Sequence, residues 1–156
     1  MKKPLLILSV AAAFVIAGCD NENTTNPEPL GTVTIKGAIV SDLDEDDDPD
    51  DLQQLEKIPA DVSVYFVDAS TGALLQTVKT TADGYTADIQ IGGPRDILIV
   101  VGDFNTQINV DIDGDDKFEK VNAVYNRRQF GEVDGAVKGA TYIENLEIDQ
   151  PEILDF

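Results

Sequence analysis

Asp96-Ile97-Leu98-Ile99-Val100-Val101 is the stretch that decides the fold of this chain. Five consecutive apolar residues follow the aspartate, and most of them are β-branched. A short continuous apolar run of this kind is typical of a central strand that is buried on both faces. We therefore expect residues 96–101 to form a central strand of a β-sheet.

Shorter segments on both sides of this run alternate apolar and polar residues, which predicts further strands. The expected strands are residues 32–40, 61–67, 73–80, 85–91, 106–112, 118–125, 136–138 and 142–148. Turn signals separate them, and Ala82-Asp83-Gly84 is a strong hairpin signal. Residues 52–58 are expected to form at most one short helical turn, because Leu52, Leu55 and Ile58 share a helical face. The pattern predicts an all-β fold, a single antiparallel sandwich of about seven to nine strands.

Five motifs add a family likeness to this pattern. They are Gly31-Thr-Val-Thr-Ile-Lys-Gly-Ala-Ile-Val40, Ile58-Pro-Ala-Asp-Val-Ser-Val64, Asp68-Ala-Ser-Thr-Gly72, Thr81-Ala-Asp-Gly-Tyr85 and Ile97-Leu-Ile-Val-Val-Gly-Asp-Phe104. Their order resembles the carboxypeptidase regulatory-like domain, a transthyretin-type (prealbumin-like) Greek-key sandwich. The resemblance covers about residues 31–104 and implies a non-catalytic β module of a cell-envelope protein, without implying a ligand. An acidic insertion at 42–57 and a long stretch at 105–135 depart from the family pattern.

The first residues have the features of an export signal. Lys2 and Lys3 precede an apolar run from Leu5 to Ala17, and this run is too short to cross a bilayer as a permanent helix. The run leads to Cys19, which is the one cysteine of the chain. Ile16-Ala17-Gly18-Cys19 resembles the lipobox of bacterial lipoproteins. That resemblance implies removal of residues 1–18 and acylation of Cys19, so that lipid, palmitate included, holds the chain in a bilayer.

These observations divide the chain into four parts. Residues 1–18 are the expected signal peptide, and residues 19–31 are a lipidated N-terminus followed by a polar, proline-containing tether. Residues 32–150 are the expected sandwich domain, and residues 151–156 are a C-terminal tail. The expected location is the bacterial cell envelope, in the outer membrane or at the cell surface if the bacterium is Gram-negative.

The charge and composition narrow the function. The formal net charge is −19, and it becomes −21 without Lys2 and Lys3. Such a charge argues against nucleic acid and anionic headgroups as partners. The chain has no histidine or tryptophan, and lipidation would leave no free thiol for catalysis or a soft metal site. We therefore expect no enzyme, and an enzyme based on paired carboxylates is a remote alternative.

Two acidic segments are candidate sites for a hard cation, with Ca²⁺ as the expected ion. In the first, oxygens of alternate residues can surround an ion: Asp111, Asp113, Asp115, the Lys117 carbonyl and Glu119. It resembles Asp-x-Asp-x-Asp-Gly calcium loops in spacing, but Asp116 and Asn122 replace the glycine and the bidentate glutamate of an EF-hand. The alternative is a plain acidic turn built on Asp113-Gly114. The second segment offers Asp42, Asp44, Asp46, Asp48 and Asp50, and its alternative is a solvated loop.

Strand direction predicts where these segments lie. If every connection from Val40 to Thr106 reverses the chain, residues 42–57 lie at one end of the sandwich and residues 111–119 at the other. Arg127 and Arg128 are expected to be solvated charges that offset nearby carboxylates. The expected function is a non-catalytic structural or interaction module that meets an unidentified envelope protein or polymer. The alternative is a calcium-dependent binding protein that uses residues 42–51, residues 111–119 or both.

Overall fold

Where the structure describes the chain, its regular elements are β-strands. A computed structural model describes residues 28–43, 55–115 and 117–154. In chain order the strands are β1 Gly31–Gly37, β2 Ile39–Ser41, β3 Glu56–Lys57, β4 Ser63–Asp68, β5 Leu74–Lys79, β6 Tyr85–Ile91, β7 Arg95–Val101, β8 Phe104–Val110, β9 Glu119–Tyr125, β10 Arg128–Ala136, β11 Thr141–Ile143, β12 Leu146–Ile148 and β13 Glu152–Ile153. Within these described ranges, no helix is long and apolar enough to cross a membrane. The predicted all-β fold is confirmed.

Strand β7 occupies the centre of a four-stranded antiparallel sheet with the order β10-β7-β4-β5. Ile97, Ile99 and Val101 on one face of β7 are fully buried. Leu98 and Val100 on the other face are only half-buried. The predicted central position is therefore correct, but burial on both faces is wrong because the outer face of this sheet remains partly open.

The opposite layer is built on β1 and β2, which form one extended segment interrupted at Ala38. β6 and β3 pair antiparallel along one side of β1 and β2, while β11 and β12 pair parallel along the other side. The Ala38 N–H donates to Oδ1 of Asn145 over 2.9 Å, which fills the break between the two halves. The parallel pairing was not anticipated. The breaks in the first and last strands help to raise the number of strands above the predicted seven to nine.

Two further expectations fail locally. Glu56 and Lys57 pair with Ser41 and Val40 as a strand, so the predicted helical turn is wrong where the structure describes it. Residues 52–54 lie outside the described residues. β10 was predicted only as residues 136–138, whereas it begins at Arg128. Register shifts on both sides of its Gly131–Val133 segment break the alternation that identifies a strand.

The core lies between the two layers and contains inward-facing residues of both. Its buried residues are Val33, Ile35, Ile39, Ile58, Val62, Val64, Phe66, Tyr85, Ala87, Ile89, Ile91, Ile97, Ile99, Val101, Phe104, Tyr125, Val133, Ala136, Leu146 and Ile148. Burial of each large aliphatic side chain stabilises the fold by about 1.5–3 kcal/mol before entropy is subtracted. This core fixes the faces and registers of the strands that carry the surface sites.

The β8–β9 hairpin continues the central sheet beyond the core. Val101 pairs with Arg128 and Phe104 pairs with Tyr125, so the same register runs from the β7–β10 pair into the β8–β9 pair. The chain therefore does not reverse between β7 and β8. A second apolar cluster supports this hairpin, and it consists of Ile108, Val110, Val121 and Ala123 with Leu43 packed against them.

This continuity overturns the predicted separation of the acidic segments. The Asn109 N–H donates to the Leu43 carbonyl over 3.2 Å, so the start of the acidic insertion lies beside the hairpin, close to Asp111. We call this region, from Leu43 to the β8–β9 turn, the hairpin end. The opposite end, where β1 begins and where the β4–β5, β6–β7 and β10–β11 turns lie, is the Gly31 end.

Candidate functional site

The turn between β8 and β9 is organised by the carboxylate of Asp111. Its Oδ1 accepts the N–H groups of Gly114, at 2.7 Å, and Asp115, at 3.2 Å. Gly114 has a φ of +76°, a left-handed conformation that glycine adopts without a steric penalty. The sequence therefore builds a tight loop whose neighbouring carboxylates face one another.

Three of the five predicted ligands of the first site come together. One carboxylate oxygen from each of Asp111, Asp113 and Asp115 lies within 4.8 Å of the others. We call these residues the aspartate triad. Asp113 and Asp115 are exposed and Asp111 is half-buried. The Glu119 carboxylate is not a member of this group, and its Oε2 is 3.4 Å from the Ile112 N–H.

Lys117 takes a role that the sequence did not predict. Its Nζ forms an ion pair with Oδ2 of Asp115, and its N–H donates to Oδ1 of the same carboxylate over 3.1 Å. Like charges about 4 Å apart repel by about 1 kcal/mol even in water, so an ammonium group relieves part of this repulsion. Hard cations prefer oxygen ligands of this kind. A divalent cation at the triad would therefore compete with Lys117 for Asp115.

Most residues of the second predicted site lie outside the described residues. Asp44, Asp46, Asp48 and Asp50 fall outside the described residues. Asp42 is described, and it lines an open cleft of about 490 Å³. The other lining residues are Leu55, Glu147, Ile148, Asp149 and Gln150. Glu147 and Asp149 were not predicted here, because only the parallel pairing of β12 with β2 brings them beside Asp42.

A different aspartate organises the turn between β4 and β5. Oδ1 of Asp68 accepts from the Ser70 hydroxyl at 2.6 Å and from the N–H groups of Ser70 and Thr71 at 3.0 and 2.9 Å. Its Oδ2 pairs with Arg95 at 2.8 Å. The Ser70 hydroxyl is the main reason that the pKa of Asp68 falls to about 2, and the Thr71 and Ser70 N–H groups add to it against the opposing effect of burial. This carboxylate stabilises the fold and is not open to a ligand.

Arg127 is more than a solvated charge. Its guanidinium lies 4.4 Å from the centre of the Tyr65 ring, and its Nη2 donates to the Tyr65 hydroxyl over 3.0 Å. Together with Val67, Leu74 and Val100, these two residues line a groove of about 340 Å³ on the open face of the four-stranded sheet. No sequence pattern indicates this groove, because its residues come from separate strands and from the turn between β9 and β10.

Two tyrosines of the core have raised pKa values. Burial is the main cause at Tyr85, and the nearby Glu144 carboxylate adds to it. Burial is also the main cause at Tyr125. The Tyr85 hydroxyl donates to the Glu144 carbonyl over 2.8 Å. Both phenols therefore remain neutral at physiological pH and act as parts of the core.

The N-terminal segment meets the domain before β1 begins. Cys19 and the residues that resemble a lipobox lie outside the described residues. Nζ of Lys138 lies 2.8 Å from Oε1 of Glu28 and 3.1 Å from the Pro29 carbonyl. These contacts hold the chain at the Gly31 end from Glu28 onward.

No family model matches this chain, and no curated protein matches it.

Proposed function

We propose that the chain is a bacterial lipoprotein whose β-sandwich is a non-catalytic structural or interaction module of the cell envelope. In this proposal Cys19 carries the lipid and residues 1–18 are removed. The observation that carries it is the run Ile16-Ala17-Gly18-Cys19 behind a charged and apolar leader. The contact of Lys138 with Glu28 supports it, because it fixes a folded domain a short distance along the chain from the lipid.

The positions of the serines support the non-catalytic part of the proposal. The three serines beyond Cys19 each have a structural contact. The buried Ser41 donates to the Asp149 carbonyl, Ser63 accepts from Lys79, and Ser70 donates to Asp68. The chain has no histidine that could act as their base.

Fractionation of cells tests the lipid anchor. We expect the parent chain to sediment with membranes and to carry acyl groups by mass spectrometry. Cys19→Ala is expected to leave the protein uncleaved and without acyl groups, because the thiol is the acylated atom. Ser41→Ala or another substitution away from the leader is the control and is expected to sediment like the parent. Acyl groups absent from Cys19 of the parent would contradict the proposal.

A calcium-dependent binding protein is the second candidate. The convergence of Asp111, Asp113 and Asp115 within 4.8 Å favours it. Few charges and open geometry are typical of sites that fill at millimolar calcium. A ligand that binds only the folded state raises the melting temperature as its concentration rises.

A calcium titration at constant ionic strength separates the two candidates. The melting temperature of the parent is expected to rise at millimolar Ca²⁺, and the variant Asp113→Asn/Asp115→Asn is expected to show no rise. Asp134→Asn removes an exposed carboxylate from β10, far from the triad, and is the control that should respond like the parent. An equal response of all three proteins would eliminate the triad as the site.

A further inference from the structure

We propose that the Gly31 end of the sandwich rests on the lipid surface and that the hairpin end is held away from it. This inference rests on the proposed function, since it needs the lipid on Cys19. It assigns an interaction surface to the turns around Lys138 and names the bilayer as its occupant.

Chain length restricts the position of the Gly31 end. About nine residues separate Cys19 from Glu28, and even fully extended they span at most about 30 Å. The Glu28–Lys138 ion pair fixes where this segment meets the domain. The continuous β7–β8 strand, from Arg95 to Val110, leads away from that end over at most about 50 Å. The lipid is therefore attached at one extreme of the molecule and the aspartate triad lies at the other.

Apolar side chains surround the point of attachment. Leu30 is 71% exposed and Val137 is 43% exposed, and they lie next to Pro29 and Lys138, the two residues that make the contact. Leu74 is exposed at the same end of the other sheet, where it pairs with Val67. Single exposed apolar residues are common on protein surfaces. Here their position beside a lipid-bearing segment lets them enter the membrane interface, where apolar side chains add to the strength of anchoring.

Most charges at the Gly31 end already have partners. Glu28 pairs with Lys138, Asp68 pairs with Arg95, and Asp96 accepts the Gly135 N–H over 2.7 Å. Asp134 is exposed near the end of β10. Moving a carboxylate towards a surface of low polarity costs free energy because the charge loses water. This cost is smaller for a carboxylate that already has a partner than for a solvated one.

The hairpin end is less suited to the bilayer, although it also exposes apolar residues. Ile112 and Phe118 are exposed there. Ile112 lies within the aspartate triad and Phe118 follows it, so the carboxylates of the triad would have to lose water if these side chains entered the interface. The comparison of Leu30 with Ile112 is therefore the sharpest test, since both are exposed aliphatic residues at opposite ends.

Tryptophan substitution can report the orientation because the chain contains no tryptophan. The acylated protein, which begins at Cys19, is placed in phosphatidylcholine vesicles, with and without brominated acyl chains that quench tryptophan. Leu30→Trp and Val137→Trp are expected to shift their emission to shorter wavelengths and to lose at least half of it to the brominated lipid. Ile112→Trp is expected to keep its emission in both vesicles. Circular dichroism verifies that each variant has the fold of the parent.

The possible results distinguish a wrong orientation of the domain from the absence of the lipid anchor. Quenching of Ile112→Trp equal to that of Leu30→Trp would overturn the orientation, and so would emission from Leu30→Trp that is the same in water and in vesicles. Mass spectrometry of the same samples reports the acyl groups. Their absence from Cys19 would overturn the proposed function and this inference together, whereas an acylated but unquenched Leu30→Trp variant would overturn this inference alone.

Discussion

Two turns of this molecule are each built around an aspartate, yet the two carboxylates have different surroundings. Asp68 is the last residue of β4, at the turn to β5, and it is buried, hydrogen-bonded by Ser70 and Thr71 and paired with Arg95. Asp111 lies between β8 and β9, where it accepts two N–H groups beside two exposed carboxylates. We call them the Asp68 turn and the Asp111 turn.

The difference shows that the partners of a carboxylate decide whether its charge contributes to folding or stays accessible to a cation. At the Asp68 turn every acceptor position is directed to the chain itself, so its charge contributes to folding. At the Asp111 turn, Oδ1 of Asp111 accepts two N–H groups of the loop, the Asp115 carboxylate binds the N–H and the ammonium of Lys117, and the Asp113 and Asp115 side chains are exposed. The first turn is therefore expected to control stability, and the second to control the response to cations.

Removal of the two aspartates should give the largest contrast. Asp68→Ala leaves the Ser70 and Thr71 donors without their acceptor and leaves Arg95 without its carboxylate, so we expect the melting temperature to fall by roughly 5 °C or more. Asp111→Ala is the matched variant and is expected to lower it by less than about 2 °C, because the hairpin tip is solvated. Thermal unfolding followed by circular dichroism measures both. Equal losses would mean that the two turns contribute alike to folding.

Acid should reveal the same contrast through the pKa of Asp68. That pKa is about 2 in the folded protein and 3.8 ordinarily, so the folded state holds the proton less tightly than the unfolded state. The stabilisation is therefore complete above about pH 4 and is lost as the pH falls towards 2. We expect the difference in melting temperature between the parent and Asp68→Asn to shrink over this range. Curves that stay parallel from pH 6 to pH 2 would contradict the assignment.

The sequence predicted most of the core layers and little of their pairing. The apolar run at 97–101 and the alternation at 85–91 depend on local composition, and both strands were located correctly. The parallel pairing of β1 with β11 depends on contacts between residues far apart in the chain, which no local period encodes. The direction of the chain at Gly102-Asp103 is likewise invisible in the sequence. Aspartate and glycine there suit a reversal as well as the continuation that is found.

The candidate site likewise has features that the sequence predicts and features that depend on tertiary structure. The spacing of Asp111, Asp113 and Asp115 was sufficient to predict their convergence, because a tight loop places alternate residues together. The ion pair of Lys117 with Asp115 is not predicted by the spacing, which assigns only the Lys117 carbonyl to the site. The stacking of Arg127 on Tyr65 and the approach of Glu147 to Asp42 depend on tertiary structure and have no signal in the sequence.

A pair of glycines allows a test of how strongly each turn is coupled to the core. Gly72 has a φ of +70° and Gly114 a φ of +76°, and a Cβ added at either position would meet no atom within 4 Å. Alanine at either position therefore costs only backbone strain, about 1 kcal/mol. We expect Gly72→Ala to lower the free energy of unfolding by that full amount, and Gly114→Ala by less, because the hairpin tip can open without the core. Urea unfolding measures both.

Asparagine is the control for the glycine pair, since it tolerates the left-handed region better than alanine does. Gly72→Asn and Gly114→Asn are expected to lose less than the corresponding alanine variants. A larger loss from Gly114→Ala than from Gly72→Ala would show that the hairpin and the core unfold together.

The smallest expected effect tests whether Lys117 and a cation compete at the Asp111 turn. Lys117→Met removes the ammonium from Asp115, and in chelator we expect it to lower stability by at most about 0.5 kcal/mol, because exposed ion pairs contribute little. With millimolar Ca²⁺ the same variant is expected to gain more in melting temperature than the parent does. Lys120→Met removes the same charge from the exposed side of β9 and is the matched control. If the melting temperatures of both variants rise equally with Ca²⁺, the rise is a general effect of net charge, and Lys117 does not compete with a cation at the triad.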